Sequence, residues 1–246
     1  MKKFNAEQTT QDIISWIKDY FSNNANENTK AIIGISGGKD SSCVAALCVG
    51  ALGIERVFGV LMPNGEQSDI DYSKELVEFL GIENVTVNIK LPVDELKDQI
   101  SATGLEITDQ LATNLPARIR MATVYGISAS IGGRVANTCN FSEDYVGYAT
   151  KFGDGAGDFS PLCNLTVQEV KAVARQLGLP EKFIEKIPTD GLCGKTDEDN
   201  LGFTYATLDQ YLRTGVCEDK AIKDKIDTMH KNGLHKLLPM PSFKLL

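Results

Sequence analysis

Apolar and polar positions along the chain follow two periods, one helical and one extended. Residues 7–22 place Ile13, Ile14, Trp16, Ile17, Tyr20 and Phe21 at helical spacing, which predicts an amphipathic helix packed on a sheet or on a partner subunit. The run Ala31-Ile32-Ile33-Gly34-Ile35 predicts a buried strand. It breaks into Ser36-Gly37-Gly38-Lys39-Asp40-Ser41-Ser42, and Val44-Ala45-Ala46-Leu47-Cys48-Val49 then resumes as a helix. Residues 56–62, 84–89 and 134–139 read as three further strands, with helices over 69–80 and 91–100. Strand–helix–strand units in succession argue for a parallel sheet with helices on both faces. The segment 108–131 is rich in Ala, Ser and Thr and is interrupted by Pro116; Arg118 and Arg120, two apart, point to different sides. Residues 145–165 have a loop-like pattern, helices follow over 166–177, 181–187, 204–213 and 218–231, and 188–195 is a polar, glycine-bearing connector suited to a lid. No internal repeat or linker divides the chain, so a single domain over residues 1–246 is expected.

The stretch from Ser36 to Ser42 carries the chemistry. Free backbone N–H groups at a helix start favour anions, and two adjacent glycines let a phosphate approach the backbone. The Walker spacing fails, because Ile33 stands where its first glycine belongs and Asp40 follows Lys39 in place of Ser or Thr. The dinucleotide pattern fails at Ser36. What remains, Ser-Gly-Gly-x-Asp-Ser, resembles the loop of the N-type ATP pyrophosphatases. That resemblance implies a Rossmann-like open parallel α/β sheet of the adenine nucleotide alpha hydrolase type, with ATP cleaved at its α-phosphorus.

Charge changes the picture in one respect. A net charge of −8 disfavours a nucleic-acid binder, and with it the RNA-thiolating relatives of this motif. After Asp227 no acidic residue remains, while Lys231, His235, Lys236 and Lys244 follow; this basic tail reads either as a cover for an anionic small molecule or as a solvated end. No apolar stretch is long enough to span a bilayer and the polar start lacks a signal-peptide core, so the expected location is cytoplasmic, without a membrane partner. Six cysteines form no C-x-x-C pair or zinc spacing and read as reduced thiols.

Between Thr138 and Pro161 stand Glu143, Asp144, Lys151, Asp154 and Asp158 around Gly153, Gly155 and Gly157. A carboxylate beyond the end of a fourth strand could meet Asp40 at the C-terminal edge of the sheet and share Mg²⁺ with it, whereas composition alone favours a surface loop with ordinary charges. The motifs of this block resemble the NAD synthetases: Thr138 and Glu143, then Gly147-Tyr148-x-Thr150-Lys151-Phe152-Gly153-Asp154-Gly155-Ala156-x-Asp158. So do Pro188-Thr189-Asp190-Gly191-Leu192 and the run Asp197-Glu198-x-x-Leu201-Gly202-x-x-Tyr205. The likeness covers the chain from about Gln8 to His235-Lys236.

The resemblance implies an enzyme that amidates deamido-NAD with ammonia, using ATP and Mg²⁺ and passing through an adenylate, and that assembles as a homodimer. Carried over by position, Gly34, Ile35, Ser36, Gly37, Gly38, Lys39, Asp40 and Ser41, with Thr138 and Thr189, contact ATP. Asp40 and Glu143 hold Mg²⁺, and Arg118, Lys151, Asp158, His235 and Lys236 bind deamido-NAD. Asp40, Lys39 and Thr189 are the expected catalytic set. Glutamine-using relatives carry an additional amidase domain, so free ammonia is the expected donor. Val167 stands where the family has a lysine that contacts ATP; Lys39 could supply that cation, or point to solvent. The alternatives are another amidating or thiolating ATP pyrophosphatase and a nucleotide-binding regulatory module without turnover.

Overall fold

The computed structural model describes residues 4–186 and 196–244. In chain order it contains α1 (Ala6–Asn24), β1 (Lys30–Gly34), α2 (Lys39–Leu52), β2 (Val57–Leu61), α3 (Ile70–Leu80), β3 (Glu83–Thr86), α4 (Lys90–Ala102), α5 (Asp109–Ile131) and β4 (Gly133–Val135). There follow α6 (Phe141–Tyr145), α7 (Val167–Gln176), α8 (Glu181–Ile184), α9 (Asp197–Leu201), α10 (Tyr205–Thr214) and α11 (Lys220–Leu237). The strands form one parallel sheet in the order β3-β2-β1-β4.

Alternation along the strands sorts the core into two layers, because successive side chains leave a strand on opposite faces. Ala31 and Ile33 face α1, α2 and α7, where Ile17, Phe21, Val44, Leu47, Val170 and Val173 pack. Ile32 faces α5 with Phe58, Val60, Val124 and Val135. Each fully buried aliphatic chain here contributes about 1.5–3 kcal/mol. A smaller cluster, Val146, Val167, Leu201, Phe203, Tyr205, Leu208 and Ile226, joins the C-terminal helices to the cleft side of the sheet.

The helix of residues 7–22 and the strands of 56–62 and 84–89 form close to their expected places. On α1, Ile17 and Phe21 are buried, while Trp16 is 44% exposed and stacks on Tyr20. Helix α5 runs unbroken past Pro116, and Gly132 in the left-handed region ends it. Arg118 and Arg120 do point apart: the first donates to the Lys151 carbonyl (3.3 Å) and the second to the Met62 carbonyl (3.1 Å).

The fourth strand is shorter than the expected 134–139, and the reason positions the site. The Ala136 amide donates the last ladder bond to β1, at the Ile32 carbonyl, while the other edge of the strand takes residues 158–159 as its partner: the Asp158 amide donates to the Val135 carbonyl and the Asn137 amide to the Phe159 carbonyl. Beyond Ala136 the paired register with β1 ends and the chain parts from it. Successive crossovers from β1 run towards β3 on one side, while β4 lies on the other, so the gap opens at the point where strand order reverses. Open α/β sheets bind ligands there.

Helix α11 extends to Leu237, beyond the expected 231, and is tied to the rim of this gap. His230 stacks on Tyr145 with ring centres 3.9 Å apart, and the Lys236 ammonium donates to the Gly147 (2.7 Å) and Ala149 (2.9 Å) carbonyls. Gly233 and Gly147 meet backbone to backbone; a Cβ on Gly233 would lie 2.8 Å from the Gly147 Cα. Gly233→Ala, which would favour an isolated helix by about 1 kcal/mol, is thus expected to destabilise this protein. The overpacking cost is about 1–3 kcal/mol, or roughly 2–10 °C of Tm for a chain of this size. Calorimetric melting, with amide exchange followed across α11, checks it; a raised Tm would show that the helix does not depend on this approach.

Candidate active site

The phosphate-type loop begins where β1 ends. The Ile35 amide extends the ladder by one bond to the Val60 carbonyl (2.9 Å), and Gly37 then turns the chain at φ +71°. A side chain at Gly37 would be strained by that angle and would place its Cβ 2.6 Å from the Ser73 amide nitrogen. Ser36 and Ser41 close the loop: the Ser36 amide donates to Ser41 Oγ (3.2 Å), and the two hydroxyls lie 3.0 Å apart. Gly38 is the N-cap of α2 and supplies no side-chain acceptor. The first amides of α2 therefore lack intrahelical partners and carry the positive end of the helix dipole, an arrangement suited to an anion.

Asp40 in the first turn of α2 faces the end of β4. Asn140 caps α6 by accepting from the Glu143 amide (3.1 Å), and its side-chain NH₂ donates to Asp40 Oδ1 (3.0 Å). One asparagine thus ties the Asp40 carboxylate to the backbone of Glu143. Lys39 does not point to solvent: its side chain is 4% exposed, its ammonium lies 2.8 Å from Asp40 Oδ2 and 3.5 Å from Glu143 Oε1, and it stands over the Tyr205 ring. Burial works against that charge, yet Asp40 and Glu143 outweigh it and make the ammonium more basic than a free lysine. Burial, then the charge of Asp40, pushes the Glu143 carboxyl up to about 8, with Lys39 opposing. Asp197 adds a further buried carboxylate to the same field and is itself raised by burial.

Asp40, Glu143 and Asp197, when ionised, exceed the Lys39 charge by two, which a divalent cation would cancel. Asp40 and Glu143 offer hard oxygen donors of the kind Mg²⁺ takes in ones and twos, beside phosphate and water. Among the described residues no three His, Cys, Asp or Glu side chains converge into a metal cage, so a metal here would depend on ligand oxygens as well. The donor set fits Mg²⁺ on an anionic ligand.

The loop, Asp40, Glu143 and Thr138 line one cleft of about 1440 Å³. That exceeds the usual 300–1,000 Å³ of a single small-molecule site and suits two substrates. Lys236 also lines it. Arg118, Lys151 and His235 sit together beyond its lining, joined by the Arg118 bond to the Lys151 carbonyl and by the Lys151 ammonium on the His235 carbonyl (2.5 Å). Both oxygens of Asp158 are engaged by the protein, accepting from the Val135 amide (2.7 Å) and the Tyr125 hydroxyl (3.2 Å). Thr189 and the 188–195 connector lie outside the described residues. Val167 is buried among the C-terminal helices and borders, with Lys39 and Tyr205, a second cavity of about 320 Å³. Sequence reasoning missed Asn140, Asp197 and Lys186 as site residues. For Asn140 the signal was present, since an Asn three residues before a glutamate at a strand end is an N-cap pattern.

Comparison with known proteins agrees with this geometry. The NAD synthase family profile matches residues 9–244. An NH(3)-dependent NAD(+) synthetase of Pyrococcus furiosus is 39% identical over 86% of this chain and 79% of its own length. Among solved structures, an NMN synthetase from Francisella tularensis superposes with a TM-score of 0.88 at 32% identity, covering 98% of this chain and all of the other. An NH3-dependent NAD synthetase from Campylobacter jejuni superposes with a TM-score of 0.78 at 28% identity, over 99% of this chain and all of the other.

The raised Glu143 carboxyl has a consequence for stability. The unfolded chain releases this proton near the ordinary value of 4.5, while the folded chain holds it to about 8. The contribution to stability is therefore complete below the ordinary value and is lost as pH rises through the folded one. Glu143→Gln removes this titration, so the stability of the variant relative to the parent should grow between pH 5 and pH 8. Urea midpoints at the two pH values measure it, and a difference that stays flat would count against the electrostatic picture of the Asp40–Glu143 pair.

Proposed function

The chain belongs to the NAD synthase family, and on that premise we propose that it amidates deamido-NAD with free ammonia at the expense of ATP. The observation that carries this reading is the uncapped start of α2 in the Ser-Gly-Gly-x-Asp-Ser loop, where Asp40 in its first turn meets Glu143 from the other side of the β1/β4 gap. The nicotinate carboxylate attacks the α-phosphorus, the bond to the β-phosphate bridging oxygen breaks with its electron pair leaving on pyrophosphate, and an adenylate forms. Ammonia then adds at the acyl carbon, AMP departs, and a proton is lost to give the amide.

The substrate carboxylate is a weak nucleophile and the phosphorus is shielded by negative oxygens, so catalysis rests on alignment and charge neutralisation. The α2 amides would receive the departing pyrophosphate. Asp40 and Glu143 would hold Mg²⁺, which when bound offsets the phosphate charge, and Lys39 keeps the two carboxylates from repelling each other apart. Thr138, which lines the cleft, would contact ATP, and by its motif so would Thr189. Lys236, which lines it too, would meet the second substrate together with Arg118, Lys151 and His235, and Asp158 is assigned to that substrate by its motif alone. The same reading makes the enzyme a cytoplasmic homodimer.

A second reading concerns only the size of the acid substrate. The TM-score of 0.88 belongs to a protein described as an NMN synthetase, so the mononucleotide acid is the competing substrate for the same chemistry.

Product analysis tests both readings. With ATP, Mg²⁺, ammonium and deamido-NAD, the expected products are AMP, pyrophosphate and NAD. ADP and orthophosphate, or ATP binding without AMP, would refute the proposal. A higher kcat/KM for the mononucleotide acid would select the second reading. Ammonia-free glutamine should not replace ammonium. Asp40→Asn should slow adenylate formation by at least about a hundredfold while the fold persists; a folded variant with near-parental rate would remove Asp40 from the metal site.

A further inference from the structure

Pyrophosphate carries about three to four negative charges near neutral pH, while a helix start supplies only about half a positive charge and Mg²⁺ two. A further cation is needed at the loop, and Val167 leaves the position of the resembled family's lysine neutral. Among the described residues, five cationic side chains line the large cleft: Lys39, Arg120, Lys182, Lys186 and Lys236. Lys39 is committed to Asp40 and Glu143. Arg120 donates to the Met62 carbonyl, and Lys236 to those of Gly147 and Ala149. Lys182 is half-exposed and paired with Glu75. Lys186 alone of the other four reaches the loop, donating to the Ser36 carbonyl at 2.9 Å.

Its surroundings keep the ammonium there. It lies 2.7 Å from Asp69 Oδ2 and 5.0 Å from the centre of the Tyr72 ring, and its side chain is only 13% exposed. Asp69 is held in turn by the Gln67 amide (2.7 Å). A lysine ammonium has three donors. Two are directed at Ser36 and Asp69, which leaves the third for a ligand in the cleft.

We infer that Lys186 is a pyrophosphate-positioning residue: its ammonium waits between the Ser36 carbonyl and Asp69, and engages the β- and γ-phosphate oxygens as the leaving group gathers charge. This inference rests on the proposed cleavage of ATP to AMP and pyrophosphate. Lys186 would hold the leaving group at the Ser36 carbonyl, separately from the cation that the Asp40–Glu143 pair would hold.

The test is calorimetric titration of the full chain with inorganic pyrophosphate and Mg²⁺, alongside kcat and KM for ATP. Lys186→Gln should weaken pyrophosphate binding by about tenfold or more, the scale of one charge-assisted contact, and lower kcat/KM for ATP to match. Lys186→Arg should retain most of the binding. Asp69→Asn should tighten it, since the ammonium loses its competing anion. Unaltered pyrophosphate binding in Lys186→Gln overturns the inference. So does an Asp69→Asn variant weakened as much as Lys186→Gln, because the pair would then be a structural tie. A parent chain that binds pyrophosphate but makes no AMP would refute the proposed function while leaving the role of Lys186 to be read from the binding data.

Discussion

Two parallel strands can be drawn apart only if the backbone groups they abandon find other partners, since an unpaired buried amide costs about 1–3 kcal/mol. In this protein the wall that leaves β1 is held along its other edge. The Phe159 carbonyl receives the Asn137 amide, the Asp158 amide donates to the Val135 carbonyl, and the Asp158 carboxylate receives the Val135 amide. The cleft is the space between this wall and β1. Its two walls carry the loop and Asp40, from β1 and α2, and Thr138, Asn140 and Glu143, from the continuation of β4, while Lys186, Asp197 and Lys236 reach it from later in the chain. Asp158, which the motif marks as a substrate contact, is thus also a structural clamp of the wall it belongs to.

The walls are bridged by charge as well as by backbone. Lys39 is buried between carboxylates contributed from both sides, and Asn140 links the Asp40 carboxylate to the Glu143 backbone amide. Breaking a buried pair by removing one partner costs about 3–5 kcal/mol, so these groups hold the two walls to each other. Lys39 resolves a question that its sequence neighbours could not: a lysine beside two glycines at a helix start can equally lie in solvent, and its direction depends on residues about a hundred positions away.

That dependence on distance separates what the sequence reveals from what it conceals. The β1–loop–α2 unit was legible because strand, glycines and helix are contiguous and each residue acts on its neighbours. The parallel sheet followed from repeated crossovers, and the second motif block supplied Glu143. The short helices α6 and α9 are too brief to show a period, and α11 outruns its apolar pattern because its last turns are held by the rim carbonyls and by His230 on Tyr145. Lys186 was invisible for the same reason. The neighbouring Pro188-Thr189 motif points to ATP but not to this lysine, whose partners Ser36 and Asp69 lie more than a hundred residues earlier.

The contact between Gly147 and Gly233 bears on how the molecule is made. The rim of the cleft is braced by a helix that follows it by more than eighty residues, and the two backbones must meet without side chains between them. A chain emerging from the ribosome can complete its sheet and close the phosphate loop long before that helix exists. The rim of the cleft takes its final shape only after Lys236 has left the exit tunnel. The loop is thus built from contiguous sequence early in synthesis, while the rim waits for a helix made much later.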